Sequence, residues 1–134
     1  TGRWIMSSII VPIDGSPQSL DALRFALTMA RNHGDDLVLL SVHSTSHVLG
    51  EHMLGEALSI ISQESVSYRT KVRVGGNPTI EIHMEANDPD VRCVVMGLRG
   101  AGSKDQSIRT LGSVSQGLLK IANYPVTLVP HSVR

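Results

Sequence analysis

Aliphatic runs alternate along the chain with segments in which apolar residues recur every three or four positions. Short runs of aliphatic and β-branched residues are typical of buried strands, and they predict strands at 8–13, 37–42, 91–96 and 125–130. A strict alternation of residue types predicts a further strand at 68–74. Apolar spacing of three or four is typical of a helix with one buried face, and it predicts helices at about 17–31, 51–64, 78–87 and 113–122. Residues 43–49 are polar and are predicted to be irregular.

Residues that start and stop helices stand at the ends of these segments. Ser16 before Pro17 and Asn77 before Pro78 each pair a capping side chain with a proline that suits the first turn of a helix. Gly34 follows the first predicted helix and is typical of a helix end. Strands and helices in strict alternation predict a single-domain α/β fold. Its open parallel five-stranded sheet would be covered on both faces by right-handed crossovers.

The third predicted strand differs from the others because apolar and charged residues alternate in it. Arg69, Lys71 and Arg73 fall on one side of this strand. A strand with one solvated flank is expected at a sheet edge, where charges oppose aggregation. The three cations could instead form a patch for a partner, and the sequence leaves both interpretations open.

Composition and charge narrow the classes of function. Hydrophobic residues make up 41% of the chain and aromatic residues 3%, so the core is expected to be aliphatic. Twelve basic and twelve acidic side chains balance, and we therefore expect no nucleic acid or anionic membrane partner. No apolar run is long enough for a transmembrane helix. Cys93 is the single cysteine, which excludes an intramolecular disulfide and predicts a buried core thiol.

The N-terminal residues are expected to stand apart from the domain. Met6 is a candidate natural start, residues 1–5 would then be an N-terminal extension, and residues 6–134 would form the domain. The start of the chain also lacks the hydrophobic region of a secretory signal.

The segment after the fourth predicted strand carries the strongest functional signal. Gly97, Gly100 and Gly102 follow an apolar run, and a Gly-Ser pair at 112–113 opens the last predicted helix. Glycine lets main-chain N–H groups approach an anion, and a helix N-terminus adds N–H donors and a favourable dipole. Ligands of parallel sheets bind at the carboxyl ends of the strands, so Asp14 is expected to lie beside this phosphate cradle.

Other kinds of site fit the sequence less well. The glycines could form only a tight turn, and Asp14 could serve only to start one. Residues 97–104 (GLRGAGSK) miss the P-loop pattern because a serine stands where its lysine is needed. His43, His47 and His52 have no Cys or acidic ligand at a recognisable metal spacing, so we expect them to lie on a loop and a helix start. No serine elbow or nucleophile–base pair is evident, and we expect no dedicated catalytic site.

In combination these segments resemble the universal stress protein family. Four stretches carry the resemblance, namely the first strand and turn, the loop after the fourth strand, the last helix start and the last strand: 10–16 (IVPIDGS), 96–100 (MGLRG), 111–115 (LGSVS) and 125–129 (PVTLV). ATP-binding members have Gly, two residues, Gly, nine residues, and then Gly followed by Ser or Thr. Gly97 and Gly100 keep the first spacing, but eleven residues separate Gly100 from Gly112, so this glycine loop is two residues longer.

The resemblance implies an adenine nucleotide, ATP or a relative, bound with Mg²⁺ at the carboxyl ends of the first and fourth strands. Asp14 would lie beside the ribose and phosphates or help to hold the cation. Pro12 and Ile13 would flank the nucleoside, and the backbone of Val42 would face the adenine edge. The glycine loop and the last helix start would surround the phosphates through Met96, Gly97, Arg99, Gly100, Gly102, Gly112, Ser113, Val114 and Ser115.

The resemblance also implies the doubly wound fold of the adenine nucleotide alpha-hydrolase-like type. It implies a cytoplasmic regulatory protein whose conformation depends on the nucleotide, with at most slow incidental hydrolysis. A homodimer would form through the last strand, residues 125–130, because an exposed apolar strand edge needs cover. The longer glycine loop motivates the alternative, a dimeric interaction protein of the same fold that binds no nucleotide.

Overall fold

Five parallel strands form one sheet, with helices on both of its faces. The computed structural model describes residues 6–98 and 111–131. The strands are β1 (Ser8–Pro12), β2 (Asp36–His43), β3 (Tyr68–Val74), β4 (Val91–Gly97) and β5 (Val126–Val129). The helices in the described residues are α1 (Pro17–His33), α2 (His47–Met53), α3 (Gly55–Ile61), α4 (Pro78–Ala86) and α5 (Ser113–Ile121). The strand order is β3-β2-β1-β4-β5, which confirms the predicted open parallel α/β sheet.

The predicted helix caps are present. The Ser16 hydroxyl accepts a hydrogen bond from the Ser19 N–H at 3.2 Å, and the Asn77 side chain accepts one from the Thr79 N–H at 2.8 Å. Gly34 ends α1 with φ of 72°, a left-handed conformation that costs glycine little. These local contacts explain why both helices begin where the sequence predicts.

Two aliphatic clusters cover the two faces of the sheet. The cluster on the α1 and α3 face contains Ile9, Val11, Ile13, Leu23, Leu27, Leu37, Leu39, Ala57, Ile61, Cys93 and Val95 among its buried residues. The cluster on the α4 and α5 face contains Ile10, Val38, Leu40, Ile82, Ala86, Val94, Met96 and Leu118. Alternate residues of each central strand therefore enter opposite clusters, as expected for strands that are buried on both faces. Cys93 is buried, as predicted.

The single helix predicted at 51–64 is wrong, and residues 43–49 are not wholly irregular. Two short helices, α2 and α3, meet at Leu54, whose side chain is buried and whose N–H bonds to the Glu51 carbonyl at 3.1 Å. Helix α2 begins earlier than predicted because the Ser46 hydroxyl accepts a hydrogen bond from the Leu49 N–H. The described part of the chain therefore contains five helices where the sequence predicted four.

Strand β3 lies at an edge of the sheet, as predicted, and α4 neutralises two of its three cations. Arg73 contacts Glu81 at 3.1 Å and Glu85 at 2.7 Å, while Lys71 contacts Glu85 at 2.8 Å. Burial raises the pKa of Glu85, but hydrogen bonds and charge from Lys71 and Arg73 outweigh it and lower that pKa below its usual value. These contacts favour a solvated edge over a partner patch.

No helix within 6–98 or 111–131 has the length and hydropathy that a bilayer-spanning segment requires.

Gly50 allows α2 to approach the sheet closely, and this contact can be tested. A Cβ at Gly50 would lie 2.5 Å from Val72 Cγ1 and 3.3 Å from Ser41 Oγ. Overpacking costs about 1–3 kcal/mol and exceeds the gain of about 1 kcal/mol in helix propensity, so Gly50→Ala should lower the free energy of unfolding. Gly55→Ala is the control, since nothing lies within 4 Å of its Cβ position, and it should leave stability unchanged or slightly higher. Urea denaturation measures both variants, and equal stability would contradict this close approach.

Candidate functional site

The carboxyl ends of β1 and β4 are neighbours at the point where the strand order reverses. Chain-consecutive β2 lies on one side of β1 and β4 lies on the other, with Ile10 paired to Val94. The helix that follows β1 packs on one face of the sheet, and the helix that follows β4 packs on the opposite face. When the helices that follow two neighbouring strands pack on opposite faces, a crevice forms at the carboxyl ends of those strands, and ligands of such sheets bind there.

Asp14 follows the end of β1 and holds the turn into α1. Its Oδ1 accepts hydrogen bonds from the Ser16 N–H at 3.0 Å and from the Ser16 hydroxyl at 2.5 Å. Gly15 between them has φ of 83°, which only glycine adopts readily. The turn-forming role that the sequence left open is therefore present. A carboxylate has about four acceptor positions, so this role is compatible with a further contact to a ligand or cation.

The other residues predicted around the nucleoside differ in their access to the crevice. The Ile13 N–H bonds to the Leu40 carbonyl at 2.7 Å, and Ile13 is 2% exposed within the α1-side cluster. Pro12 and Val42 are half-buried, and Val42 packs against the α4-side cluster. Met96 is 6% exposed in that same cluster. Pro12 and Val42 therefore reach the surface at this end of the sheet, while Ile13 and Met96 chiefly support it.

Hydrogen bonds tie the start of α5 to the end of β4. The Ser115 hydroxyl donates to the Gly97 carbonyl at 3.0 Å, and the Gly112 N–H donates to the Leu98 carbonyl at 3.0 Å. The Leu98 N–H in turn donates to the Val129 carbonyl at 3.0 Å. A hydroxyl has one hydrogen to donate, so Ser115 acts as a tether here and its hydroxyl is not available to donate to a phosphate.

The first turn of α5 presents main-chain donors. The first intrahelical bond joins the Gln116 N–H to the Gly112 carbonyl at 2.9 Å. The amides of Ser113, Val114 and Ser115 precede it, and no side chain caps this helix among the described residues. Backbone N–H groups at a helix N-terminus, with the helix dipole behind them, are suited to an anion. Arg99, Gly100 and Gly102, which the sequence placed around the phosphates, lie outside the described residues.

The histidines expected on a loop and a helix start form no metal site in the described ranges. His47 opens α2 and His52 lies within it, but the expectation is wrong for His43, which is the last residue of β2. His47 Nδ1 lies 2.9 Å from Glu51 Oε1, one turn along α2. His43 has a role that the sequence reasoning missed, because its Nδ1 lies 3.2 Å from the Thr45 nitrogen and 3.0 Å from the Ser46 nitrogen. One signal in the sequence could have indicated this acceptor role. It is a histidine at the end of a strand, followed by Ser-Thr-Ser before a helix.

Comparisons with known proteins agree with this fold. The sequence model of the universal stress protein family matches residues 6–130. A universal stress protein of Synechocystis sp. is 25% identical over 142 residues, which cover 96% of this chain and 88% of that protein.

Two solved structures extend the comparison. A universal stress protein from Archaeoglobus fulgidus, solved in complex with dAMP, is 26% identical with a TM-score of 0.75, covering 93% of this chain and 98% of that chain. A universal stress protein solved in complex with cAMP has a TM-score of 0.76 at 21% identity, covering 96% of this chain and 100% of that chain. At 21% identity, the likeness to the cAMP complex shows the fold alone.

The tether between Ser115 and Gly97 can be tested by removing one hydroxyl. Ser115→Ala should lower the free energy of unfolding by about 1–3 kcal/mol, because the buried Gly97 carbonyl loses its partner. Ser113→Ala makes the same change at an exposed position of the same helix turn and should shift stability by less than about 0.5 kcal/mol. Urea denaturation measures both, and equal losses in the two variants would contradict the tether.

Proposed function

The chain belongs to the universal stress protein family, and we propose that it binds an adenine nucleotide at the carboxyl ends of β1 and β4. In this proposal it is a regulatory protein of the cytoplasm. Nucleotide binding, rather than nucleotide turnover, would set the order of its loops and its contacts with partners.

The observation that carries the proposal is the set of main-chain donors at the start of α5. Three consecutive amides, from Ser113 to Ser115, stand in the first turn of a helix whose start is bonded to the end of β4. Ser113 is exposed and Val114 is half-buried, so this turn is open to a ligand. Neutral N–H donors with a helix dipole behind them favour a phosphate group.

Asp14 and the strand ends would hold the rest of the nucleotide. The Asp14 carboxylate is fixed by Ser16 on the α1 side of the crevice, where the ribose would lie. The negative charge of a polyphosphate would repel the Asp14 carboxylate, and Mg²⁺ bound with ATP would offset this repulsion. Pro12, Ile13 and Val42 would border the nucleoside. The phosphates would lie beside Met96, Gly97 and the loop residues Arg99, Gly100 and Gly102. The proposed domain comprises residues 6–134.

The adenine class is supported by a relative. The Archaeoglobus fulgidus protein, at 26% identity and a TM-score of 0.75, was solved with dAMP. The proposed ligand for this chain is ATP, whose additional phosphates would extend toward the glycine loop. The donors that we assign hold phosphate without activating water, so the proposal is binding with at most slow hydrolysis.

A second candidate function is an interaction protein of the same fold that binds no nucleotide. It is favoured by the internal use of two predicted donors, since the Gly112 N–H and the Ser115 hydroxyl both bond to main-chain carbonyls. The binding experiment below decides between the two candidates.

We expect ATP with Mg²⁺ to raise the melting temperature of the protein. Ligand at about one hundred times its dissociation constant adds about 2.7 kcal/mol of stability. Gly112→Val should weaken ATP binding at least about tenfold, because a β-branched side chain would stand where phosphate approaches the amides. Its φ of −68° and ψ of 163° suit valine, so the variant should fold.

Gly55→Val makes the same chemical change where nothing lies within 4 Å of the Cβ position, and it should bind ATP as the parent does. Calorimetric titration and thermal shift measure all three proteins. No ATP binding by the folded parent would favour the second candidate, and equal binding by Gly112→Val would contradict the proposed site.

We also propose a homodimer through residues 125–130. Strand β5 lies at an edge of the sheet, its four residues are all half-buried, and Pro125 and Pro130 flank it. An apolar edge of this kind is protected when a second copy covers it. Light scattering after gel filtration should give twice the mass of the chain, and a monomer mass across the accessible concentration range would contradict the dimer.

A further inference from the structure

His43 ends β2 and points toward α2. Its carbonyl accepts a hydrogen bond from the Gly75 N–H at 2.9 Å, so its main chain is fixed against the end of β3. A Cβ on Gly50 would lie 3.6 Å from the His43 Cβ, and Ser41, on the same face of β2, donates its hydroxyl to the Gly50 carbonyl at 2.7 Å. The imidazole therefore lies between the end of β2 and the turn that leads into α2.

Two main-chain amides select the tautomer of this imidazole. The Thr45 nitrogen lies 3.2 Å and the Ser46 nitrogen 3.0 Å from His43 Nδ1. A backbone N–H can only donate, so Nδ1 must present its lone pair, and the proton of the neutral ring is on Nε2. The same two bonds also fix the orientation of the ring, because they hold Nδ1 over the turn.

The Nε2–H group is a donor without an assigned acceptor. Within residues 6–98 and 111–131 no hydrogen bond involves Nε2, and His43 is only half-buried. A polar ring held by two hydrogen bonds at one nitrogen thus offers the other nitrogen to the surroundings. A donor that is fixed in advance binds an acceptor without a further cost in side-chain order.

His43 stands beside the position proposed for the base. His43 directly follows Val42, whose backbone is proposed to face the adenine edge. Pro12 of β1 pairs with Leu40 of β2, and Asp14 and Val42 each lie two residues beyond this pair, at the same end of the sheet. We propose that the His43 Nε2–H donates a hydrogen bond to a ring nitrogen of the adenine base. This inference rests on the proposed nucleotide-binding function and adds a residue that selects a purine edge carrying an acceptor.

Two substitutions separate the two nitrogens of the ring. In His43→Asn the Oδ1 atom stands at the same number of bonds from Cα as Nδ1, so it can accept from the amides of Thr45 and Ser46, while the Nε2 donor is lost. In His43→Gln the side-chain amide nitrogen can stand near Nε2, so a donor is kept while the acceptor of the turn is lost. Asn is also a residue that favours such turns.

The probe is dAMP, measured by calorimetric titration with each protein. His43→Asn should keep the melting temperature of the parent and bind dAMP about tenfold more weakly, as expected for one lost hydrogen bond. His43→Gln should bind dAMP nearer to the parent affinity and melt at a lower temperature, because two amides lose their acceptor. Equal dAMP affinity in the parent and in a folded His43→Asn would overturn the inference.

Deaza analogues test the same bond in the unaltered protein. We expect one of 1-deaza-, 3-deaza- and 7-deaza-dAMP to bind the parent about tenfold more weakly than dAMP, since each lacks one ring-nitrogen acceptor. His43→Asn should bind that analogue as it binds dAMP. If the parent binds all three analogues as tightly as dAMP, the inference is wrong while the nucleotide site stands. If the parent binds neither dAMP nor ATP, the proposed function fails and this inference fails with it.

Discussion

The parallel pairing of β1 with β4 at the middle of the sheet sets the positions of both segments of the candidate site. Each strand sends alternate residues into the clusters on the two faces, so neither strand can slip by one residue without moving its side chains to the wrong cluster. The helices after these strands leave toward opposite faces. Asp14 and the start of α5 can then approach one crevice although they are far apart in the sequence.

Much of this fold can be predicted from the sequence because its strands and helix caps depend on residues that are close together along the chain. The buried strands are continuous aliphatic runs, and the Ser16 and Asn77 caps act within three residues of themselves. The break at Leu54 could not be predicted in this way. Leu54 is buried and keeps the apolar spacing of one long helix, so the periodicity does not reveal the break. The close approach of Gly50 to Val72 could not be predicted either, because it joins segments that are distant in the sequence.

The candidate site, like the fold, could be predicted from the sequence only in part. The strand-end placement of Asp14 and Gly97 follows from topology alone, and the structure brings the start of α5 to the same end of the sheet. The glycine-loop motif could not indicate which of its N–H and hydroxyl donors are already hydrogen-bonded within the protein. The sequence suggests the hydroxyl of Ser115 as a phosphate ligand, yet this hydroxyl donates to the Gly97 carbonyl at the end of β4. The hydrogen bonds of His43 were missed for a different reason, since a histidine is seldom considered as an acceptor for the turn that follows it.

The bond between the Leu98 carbonyl and the Gly112 N–H has a consequence for how this region can vary among relatives. It closes the chain between these two residues into a ring whose ends are anchored by the sheet and by α5. The entropy of closing such a ring changes slowly with its length, by about 0.6 kcal/mol for each doubling. A change in the number of residues between Leu98 and Gly112 therefore changes this closure entropy little, while the hydrogen bond keeps the start of α5 beside the end of β4.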